Sequence, residues 1–265
     1  MEDNPKLDFH NHVIPGVDDG APTIEASLSA LAVMKAQGIR HVIASPHLRA
    51  SAVSRRDDPH GYFEHVNTAW QRLIDASKSV ADVAIYRGFE ILLDVPAIDL
   101  SDPTLRLAGS KFVLVEFGFS TIPPHSADAL FQIKMQNCVP ILAHPERYAD
   151  VQERASQVLD WLRVGAYLQA NAGSFTGHYG PAARRTAWLL LKVGALSYVC
   201  SDYHATGKCH TASADAAIAR RYGPEIARLL FSENPMRILK NEAPVLVKAP
   251  PRKGFLGWLR ARLGS

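Results

Sequence analysis

The chain has 265 residues, of which 47% are hydrophobic and 21% are charged. This composition is typical of a folded globular protein and excludes disorder over most of the chain. No apolar run reaches the roughly 18 residues of a membrane-spanning helix, and the N-terminus lacks the basic and apolar regions of a signal peptide. We therefore expect a cytoplasmic protein.

Charge is unevenly distributed along the chain. The formal net charge is +3, but residues 248–265 contain five basic side chains and no acidic one, which leaves 24 basic and 26 acidic side chains in residues 1–247. A slightly acidic body argues against nucleic acid as a partner. The basic end is suited to contact with an anionic surface.

The three cysteines, Cys138, Cys200 and Cys209, exclude several kinds of site. Their odd number and wide spacing argue against a disulfide framework and against a zinc ribbon. None has an arginine six positions later, the arrangement that a cysteine-dependent phosphatase uses to bind phosphate. Catalysis by a nucleophilic cysteine therefore has no support in the sequence.

Short β-branched runs alternate with longer helical stretches in the first half of the chain. We predict strands at 6–9, 39–44 and 83–87 and helices at 23–37 and 62–77. Thr23 is the expected N-cap of the first helix, and Gly38 follows its end. The polar stretch 49–61 is predicted to be a long loop.

The same alternation continues in the second half. We predict strands at 112–116, 139–143, 167–170 and 196–200 and helices at 127–136, 152–164, 181–193, 212–222 and 224–230. About seven strands, mostly followed by helices, indicate an α/β fold with a parallel sheet, closed or open. We expect one domain over residues 1–247, followed by a tail at 248–265.

Histidine and acidic residues stand at or just beyond the end of nearly every predicted strand. They are His10, His12, Asp18, Asp19, His47, Glu90, Glu116, His144, Asp202 and His204. The carboxyl ends of parallel strands meet on one face of a barrel, where loops from separate strands converge. We therefore expect these side chains to form one site.

The residue types at these positions favour a metal centre. Imidazole and carboxylate groups without thiolate suit Mn, Zn or Fe, and a carboxylate such as Glu90 can bridge two ions. Metal ions about 3.5–4 Å apart serve phosphoester hydrolysis by activating water and neutralising charge. Spacing alone does not choose between Asp18 and Asp19, since either can be a turn residue before Gly20.

Arg147 follows His144 by three residues and is a candidate phosphate ligand. A guanidinium group binds phosphate oxygens through two parallel hydrogen bonds. The alternative is a surface salt bridge to Glu146 or Asp150. The sequence spacing leaves both interpretations open.

Several motifs together resemble one known family. They are DFHNHVIPGVDDG at 8–20, SPH at 45–47, GFEI at 88–91, VEF at 115–117, HPERY at 144–148 and SDYH at 201–204. The chain resembles the bacterial protein-tyrosine phosphatases of the PHP (polymerase and histidinol phosphatase) superfamily. These are manganese-dependent enzymes associated with capsular and extracellular polysaccharide synthesis, and the resemblance covers about residues 7–242.

The resemblance implies a distorted (β/α)₇ barrel of the PHP or TIM-like type, with a site for two or three ions. Mn²⁺ is the expected ion, with Fe or Zn as alternatives. The implied metal ligands are His10, His12, Asp19, His47, Glu90, Glu116, His144, Asp202 and His204. By the same resemblance, Asp19 is chosen over Asp18, and Arg147 is the phosphate-binding arginine.

One position departs from the family pattern. Many relatives follow the Asp-x-His motif with an asparagine and, shortly afterwards, an arginine that helps to bind phosphate. Here Ala205 follows the motif, and the nearby basic residue is Lys208. We expect Lys208 to contribute to substrate binding, although lysine supplies charge without the planar fork of arginine.

The expected reaction is hydrolysis of phosphotyrosine by a metal-bound hydroxide, without a covalent phosphoenzyme. The resemblance implies as substrate the tail of a membrane-associated tyrosine autokinase that controls exopolysaccharide or capsule synthesis. Two alternatives stay open. The chain can be a small-molecule phosphomonoesterase such as a histidinol-phosphate phosphatase, or a mainly non-catalytic regulator that binds the kinase tail.

The C-terminal residues 250–265 suggest a further contact. Phe255, Leu256, Leu259 and Leu263 can share one helical face, and four basic residues accompany them. This pattern is typical of a segment that lies on an anionic membrane surface, here the inner membrane. The alternatives are a helix packed on the barrel and a disordered end.

Overall fold

The computed structural model describes residues 5–54, 61–78, 80, 82–119 and 121–247. The predicted tail at 248–265 lies outside the described residues, as do residues 55–60 of the predicted loop at 49–61. Within the described part, strands alternate with helices along the chain, and every strand pairing is parallel. None of the helices in this part is both long enough and apolar enough to cross a membrane.

Nine short strands in the described residues form two parallel sheets. Their bounds are β1 Lys6–Asp8, β2 Ile39–Ala44, β3 His47–Arg49, β4 Ala84–Arg87, β5 Glu90–Leu92, β6 Phe112–Glu116, β7 Val139–Ala143, β8 Tyr167–Asn171 and β9 Tyr198–Cys200. One sheet has the order β1-β2-β4, and the other has the order β3-β5-β6-β7-β8-β9.

The two sheets together provide seven strand positions. Strand β3 continues the path of β2 after two residues, and β5 continues the path of β4 in the same way. The backbone N–H of Gly88 donates to the carbonyl of Ala44 at 2.9 Å, and that of Glu90 donates to Pro46 at 3.0 Å, so pairing continues across both interruptions. The predicted α/β fold with a parallel sheet is confirmed.

The chain segments beyond β1 and β9 are also joined. The N–H of Asp202 donates to the carbonyl of His10 at 2.8 Å, and the N–H of His12 donates to the carbonyl of Tyr203 at 2.9 Å. The first and last strand positions therefore lie side by side at their carboxyl ends. The described strands follow a barrel-like path, but they are split between two sheets and form no single continuous ladder, in agreement with a distorted barrel.

Eleven α-helices occur in the described residues. They are α1 Ile24–Ala36, α2 Ala50–Ser54, α3 Tyr62–Ser77, α4 Ser126–Met135, α5 Ala149–Glu153, α6 Val158–Arg163, α7 Ala172–Thr176, α8 Gly180–Lys192, α9 Thr211–Tyr222, α10 Pro224–Arg228 and α11 Asn234–Ile238. Thr23 caps α1 as predicted, since its Oγ1 accepts a hydrogen bond from the N–H of Ala26 at 3.2 Å.

Three sequence predictions are corrected. The stretch 49–61 is not entirely a loop, because it begins with the end of β3 and with α2. The single helix predicted at 152–164 is divided into α5, a 3₁₀ turn and α6, because Arg154 adopts a non-helical conformation (φ −138°, ψ 84°). Strands β3 and β5 were not predicted, because each follows another strand after only two residues, with no helical stretch between the two strands.

Alternate residues of the strands face two different hydrophobic clusters. In β6, Phe112 and Leu114 belong to the cluster that also holds Phe9 and Tyr198, whereas Val113 packs in the larger cluster. This two-residue period is the one expected of a strand with both faces buried. The apolar side chains fill the interior and the sheet–helix layers, and the carboxyl ends of the strands are left for polar groups.

Candidate metal centre

All nine predicted ligands converge at the carboxyl ends of the strands. Among the described residues, four groups have ligand atoms that lie within 4.8 Å of one another. The groups are His12, Asp19, His47 and His204; His10, His12 and Asp202; His10, Glu90 and His144; and His47, Glu90 and Glu116. The groups share members, which is the arrangement expected of a centre with more than one ion. Their role as ligands stays a prediction.

The extended segment after β1 brings two imidazoles into the cluster. His10 and His12 are two residues apart, so their side chains leave the extended backbone on the same side. Nε2 of His10 lies 3.0 Å from Oε1 of Glu90 and 3.2 Å from Oδ1 of Asp202. Nε2 of His12 lies 3.5 Å from each of the same two carboxylates.

Glu90 lies at the centre of the cluster. Its Oε1 is 2.9 Å from Nε2 of His144, and its Oε2 is 3.1 Å from Nδ1 of His47. Glu116 is 3.5 Å from His47 and 3.6 Å from His144. Ligands about 2.0–2.2 Å from one ion lie roughly 3–3.5 Å from one another, so these separations suit shared ions.

Two candidate ligands occupy left-handed backbone positions just beyond strands. His144 follows β7 with φ 35°, and Asp202 lies two residues beyond β9 with φ 51°. Such conformations cost non-glycine residues about 1–3 kcal/mol and persist where surrounding contacts enforce them. Here the backbone hydrogen bond from Asp202 to His10 holds the second turn in place. The abrupt change of direction keeps both side chains at the barrel mouth.

Gln169 and Asp18 orient the two buried histidines. Nδ1 of His10 lies 2.8 Å from Oε1 of Gln169, and Nδ1 of His12 lies 2.7 Å from Oδ2 of Asp18. Because amide and carboxylate oxygens accept, each Nδ1 carries the donated proton, so the neutral form of each ring presents the lone pair of Nε2 to the cluster. Both Nε2 atoms are buried without a hydrogen-bond partner, as is Oε2 of Glu90. A metal ion satisfies such atoms, so the residues fit the metal that the fold family implies.

The structure separates the two aspartates that spacing left open. The Asp18 side chain is 5% exposed and also accepts from the N–H groups of Gly20 and His47. The Asp19 side chain is 70% exposed, and its Oδ1 lies 3.3 Å from Nε2 of His204. Asp19 therefore faces the ligand atoms, and Asp18 supports His12 from behind.

Gly20 allows the Asp-Asp turn to pack against His12. A Cβ atom at position 20 would lie 2.1 Å from the His12 carbonyl oxygen, far inside van der Waals contact. The same carbonyl accepts a hydrogen bond from the N–H of Ala21 at 2.9 Å. The Asp-Asp-Gly sequence thus needs glycine at its third position.

Burial and charge pairing act in opposite directions on the ionisation of the cluster. Burial lowers the pKa of His10, but Glu90 and Asp202 outweigh it and hold that pKa well above its usual value. Burial raises the pKa of Glu90, but His10, His12 and His144 hold it well below its usual value. Glu90 therefore stays ionised, and metal binding at this position must release a proton from His10.

Arg147 lies beside the cluster with its guanidinium group fixed from three directions. Its Nη1 donates to Oδ2 of Asp202 at 2.8 Å. The guanidinium carbon lies 4.4 Å from the ring centre of Phe119 and 4.3 Å from that of Tyr179, so the group is stacked between two aromatic faces. The hydroxyl of Tyr179 donates to the same Asp202 oxygen at 3.3 Å.

The alternative salt bridges for Arg147 do not form among the described residues. Glu146 is fully buried and accepts from the hydroxyl of Ser174 at 2.7 Å and from the N–H of Asn171 at 2.9 Å. Asp150 accepts instead from the N–H of Ile122. The surface ion-pair interpretation is therefore wrong.

Several supporting residues were not identified from the sequence. Gln169, Phe119 and Tyr179 come from different strands and loops, and no local motif connects them with the histidines. Asn171 also donates to Oδ2 of Asp202, at 2.5 Å. The available signals were the position of Gln169 and Asn171 at the carboxyl end of a predicted strand and the resemblance of the run at 169–174 to the family pattern.

Lys208 lies on the exposed loop after His204. It forms no hydrogen bond or ion pair with any other described residue, including the nine candidate ligands. Its positive charge does act on His210. Burial lowers the pKa of His210, and the nearby charges of His178 and Lys208 lower it further. Its role in substrate binding stays a prediction.

Comparison with known proteins gives a consistent assignment. A family model described as capsular polysaccharide synthesis, CpsB/CapC, matches residues 6–240. The chain is 27% identical over 250 residues to tyrosine-protein phosphatase YwqE of Bacillus subtilis, covering 93% of this chain and 95% of that protein. It is also 27% identical over 248 residues to tyrosine-protein phosphatase CpsB of Streptococcus pneumoniae, covering 89% and 99%.

A solved structure supports the same relationship. It comes from the crystallographic work on YwqE from Bacillus subtilis and CpsB from Streptococcus pneumoniae, where they are described as unique metal-dependent tyrosine phosphatases. The match has a TM-score of 0.76 at 27% identity and covers 94% of this chain and all of the other. This chain therefore belongs to the CpsB/CapC family of capsular polysaccharide synthesis.

Proposed function

We propose that this protein is a metal-dependent phosphatase that hydrolyses phosphotyrosine in proteins. The observation that carries the proposal is the nine-residue cluster of histidines and carboxylates, with Arg147 fixed at its edge by Asp202. The names of the relatives, tyrosine-protein phosphatases described as metal-dependent, agree with this chemistry.

In this proposal the nine clustered residues hold two or three ions, with Mn²⁺ as the native metal and Fe or Zn as alternatives. When bound, divalent ions would neutralise negative charge on the phosphoryl oxygens and lower the pKa of a water molecule that they bind. Glu90 joins several histidines across the cluster, so it is the proposed bridging carboxylate. Gln169 and Asp18 keep Nε2 of His10 and His12 directed at the ions.

The proposed role of Arg147 is to bind the phosphoryl group and to stabilise the charge that develops during transfer. Its contact with Asp202 and the stacking rings restrict its rotation before substrate arrives. A donor that is already oriented needs no reorganisation during the reaction, which is the main source of electrostatic catalysis. Lys208 would add positive charge from the neighbouring loop.

A cavity beside the cluster favours an aromatic phosphate ester. It has a volume of about 530 Å³ and is lined by Leu48, Tyr62 and Leu92 together with Asp19, His47 and Glu116. An apolar wall next to the ligands suits the phenyl ring of phosphotyrosine better than the imidazole of histidinol phosphate. We therefore rank the small-molecule alternative second.

The proposed partner is the tyrosine-phosphorylated tail of a membrane-associated autokinase. The family's connection with capsular polysaccharide synthesis and the names of the relatives support a phosphotyrosine substrate.

We further propose that residues 1–247 form the catalytic domain and that residues 250–265 contact an anionic membrane surface. Truncation after Val247 should leave hydrolysis of a phosphotyrosine peptide unchanged and reduce binding to anionic vesicles. Equal vesicle binding by both forms would remove the membrane contact from the proposal.

The test of the function compares three substrates. Metal-stripped protein, with and without added Mn²⁺, is given a phosphotyrosine peptide, histidinol phosphate and a phosphoserine peptide. We expect manganese-dependent hydrolysis with a strong preference for phosphotyrosine. Preference for histidinol phosphate would support the small-molecule alternative. No hydrolysis of any substrate, combined with binding of the phosphopeptide, would support the non-catalytic regulator.

A further inference from the structure

A groove with a strongly basic lining runs along the outer face of α8. Its volume is about 760 Å³, and its walls come from α8, from the end of α7 and from α9. Pro181, Arg184, Arg185, Trp188 and Lys192 line it, and the steps from 181 to 184 and 185, then to 188 and to 192, are of three or four residues, which places them on one helical face. Arg221 of α9 forms the opposite wall. We call this surface the basic groove.

The basic groove concentrates positive charge that the protein itself leaves uncompensated. Arg184, Arg185, Lys192 and Arg221 are exposed, and no acidic residue is among those that line the groove. Within the described part of the chain, none of the four forms an ion pair with a carboxylate. Arg221 is instead stacked over the ring of Trp188, 4.7 Å from its centre. Repulsion among these cations favours a bound anion.

The basic groove adjoins the candidate active site through the turn between α7 and α8. Thr176 and Gly177 at the start of this turn line the groove. Tyr179, two residues later, stacks on Arg147 and donates to Asp202. The same short segment therefore contributes a wall to the groove and a wall to the proposed phosphate-binding position.

We propose that the basic groove binds an acidic segment next to the phosphotyrosine of a peptide substrate; this inference rests on the proposed function. Between Tyr179 and Lys192, α8 extends about 20 Å at 1.5 Å per residue. An extended peptide covers that length with about six residues at roughly 3.3 Å each. The acidic side chains would therefore lie within about six positions of the phosphotyrosine.

The length and chemistry of the groove suit an extended peptide. Its cations are spread along one helical face, so successive acidic side chains of an extended chain can each meet one. Trp188 and Leu189 provide apolar contact along the same wall, which suits the alternation of acidic and apolar groups along a peptide. Binding to a lipid surface is treated below as an outcome of the test.

The experiment compares two matched double variants of the full-length protein. Arg184→Gln with Lys192→Gln neutralises two cations of the basic groove. Arg72→Gln with Lys240→Gln removes the same two residue types from exposed positions outside the groove. Each protein is assayed, with Mn²⁺, on a phosphotyrosine peptide with glutamates on both sides, on its glutamine counterpart and on free phosphotyrosine. Anisotropy with the labelled, unphosphorylated acidic peptide measures binding independently of hydrolysis.

We expect the groove variant to lose about five- to tenfold in kcat/KM on the acidic peptide, since each exposed charge pair contributes about a two- to fivefold effect at low salt. Its activity on the glutamine peptide and on free phosphotyrosine should equal that of the wild type. The control variant should match the wild type on all three substrates. The wild-type preference for the acidic peptide should also shrink as salt is added.

Three results would overturn the inference while leaving the proposed function intact. The first is equal activity of the groove variant and the wild type on the acidic peptide. The second is an equal loss in the control variant, which would reveal a general effect of net charge. Groove-dependent binding to anionic vesicles without any effect on the peptide would also overturn it, in favour of a lipid surface. Peptide binding that depends on the groove, without hydrolysis of any phosphotyrosine substrate, would support the groove and reject the function.

Discussion

Arg147 and Asp202 are joined by a hydrogen bond of 2.8 Å between Nη1 and Oδ2, while Oδ1 of the same carboxylate faces Nε2 of His10 at 3.2 Å. One carboxylate therefore connects the proposed phosphate-binding arginine with the proposed metal ligands. Because Asp202 is buried and fixed by a left-handed turn, the position of the guanidinium group is determined relative to the cluster.

The first prediction concerns the charge of Arg147. Replacement by alanine should raise the barrier for phosphotyrosine hydrolysis by about 2–3 kcal/mol, a loss of roughly 30- to 150-fold in kcat/KM, because one oriented charged donor is removed. Arg147→Lys should recover only part of this loss, since an ammonium group lacks the planar fork. Steady-state kinetics on a phosphotyrosine peptide measure both effects.

The control for Arg147 is Arg154→Ala, which removes an arginine whose side chain, among the residues that the structure describes, hydrogen-bonds to Gln157. It should retain wild-type kinetics. Metal content must be measured for each variant, because Arg147 contacts a candidate ligand and its loss could disturb the cluster. Wild-type turnover in Arg147→Ala would exclude this residue from the site.

The second prediction separates the two neighbouring aspartates. Asp19→Asn should reduce the number of ions bound at saturation, because it removes a carboxylate that faces His47 and His204. Asp18→Asn should keep that number and weaken metal affinity by about 10- to 100-fold, because it alters the support of His12. Elemental analysis and metal titration distinguish the outcomes. The reverse pattern would show that Asp18 is the ligand.

The third prediction concerns removal of the metal. Chelation should abolish hydrolysis and should also lower the thermal unfolding temperature, because the clustered carboxylates and imidazoles lose their shared partner. Metal at 100 times its dissociation constant contributes about 2.7 kcal/mol, which corresponds to a shift of roughly 5–10 °C in a chain of this size. Differential scanning calorimetry with and without chelator measures the shift. Full activity after thorough chelation would contradict the metal mechanism.

Much of the site could be predicted because its ligands follow the strands in sequence. A strand boundary indicates which side chains reach the carboxyl face, and this locates His10, Glu116 and His144 without three-dimensional information. The choice of Asp19 over Asp18 was different, because both precede Gly20 and only folding determines which one turns toward His204. Before the structure was known, only the resemblance to the phosphatase family favoured Asp19 as the ligand.

The supporting residues could not be predicted in the same way. Gln169 contacts His10 across 159 positions of sequence, and Tyr179 reaches Asp202 from the start of α8. Such contacts depend on how helices and strands pack, and packing is not encoded in local periodicity. The interrupted strands β3 and β5 were missed for a related reason, since their short length is supported by neighbouring strands and not by a local pattern.

The fourth prediction concerns His41, in β2, away from the candidate ligands. Burial lowers the pKa of His41, and its Nδ1 is buried without a hydrogen-bond partner. In the unfolded chain the pKa returns to about 6.5. Below that pH the unfolded state binds more protons than the folded state, so the stability of the fold should decrease as the pH drops from about 6.5 through the lower pKa of the folded state.

The variant His41→Gln has no titrating group at this position and should lose less stability than the wild type between pH 7.5 and pH 5. The thermal unfolding temperature of both proteins is measured at matched metal content as a function of pH. The slope of this temperature with pH is compared, because glutamine can change stability by the same amount at every pH. Identical slopes would show that His41 does not contribute to the acid sensitivity of the fold.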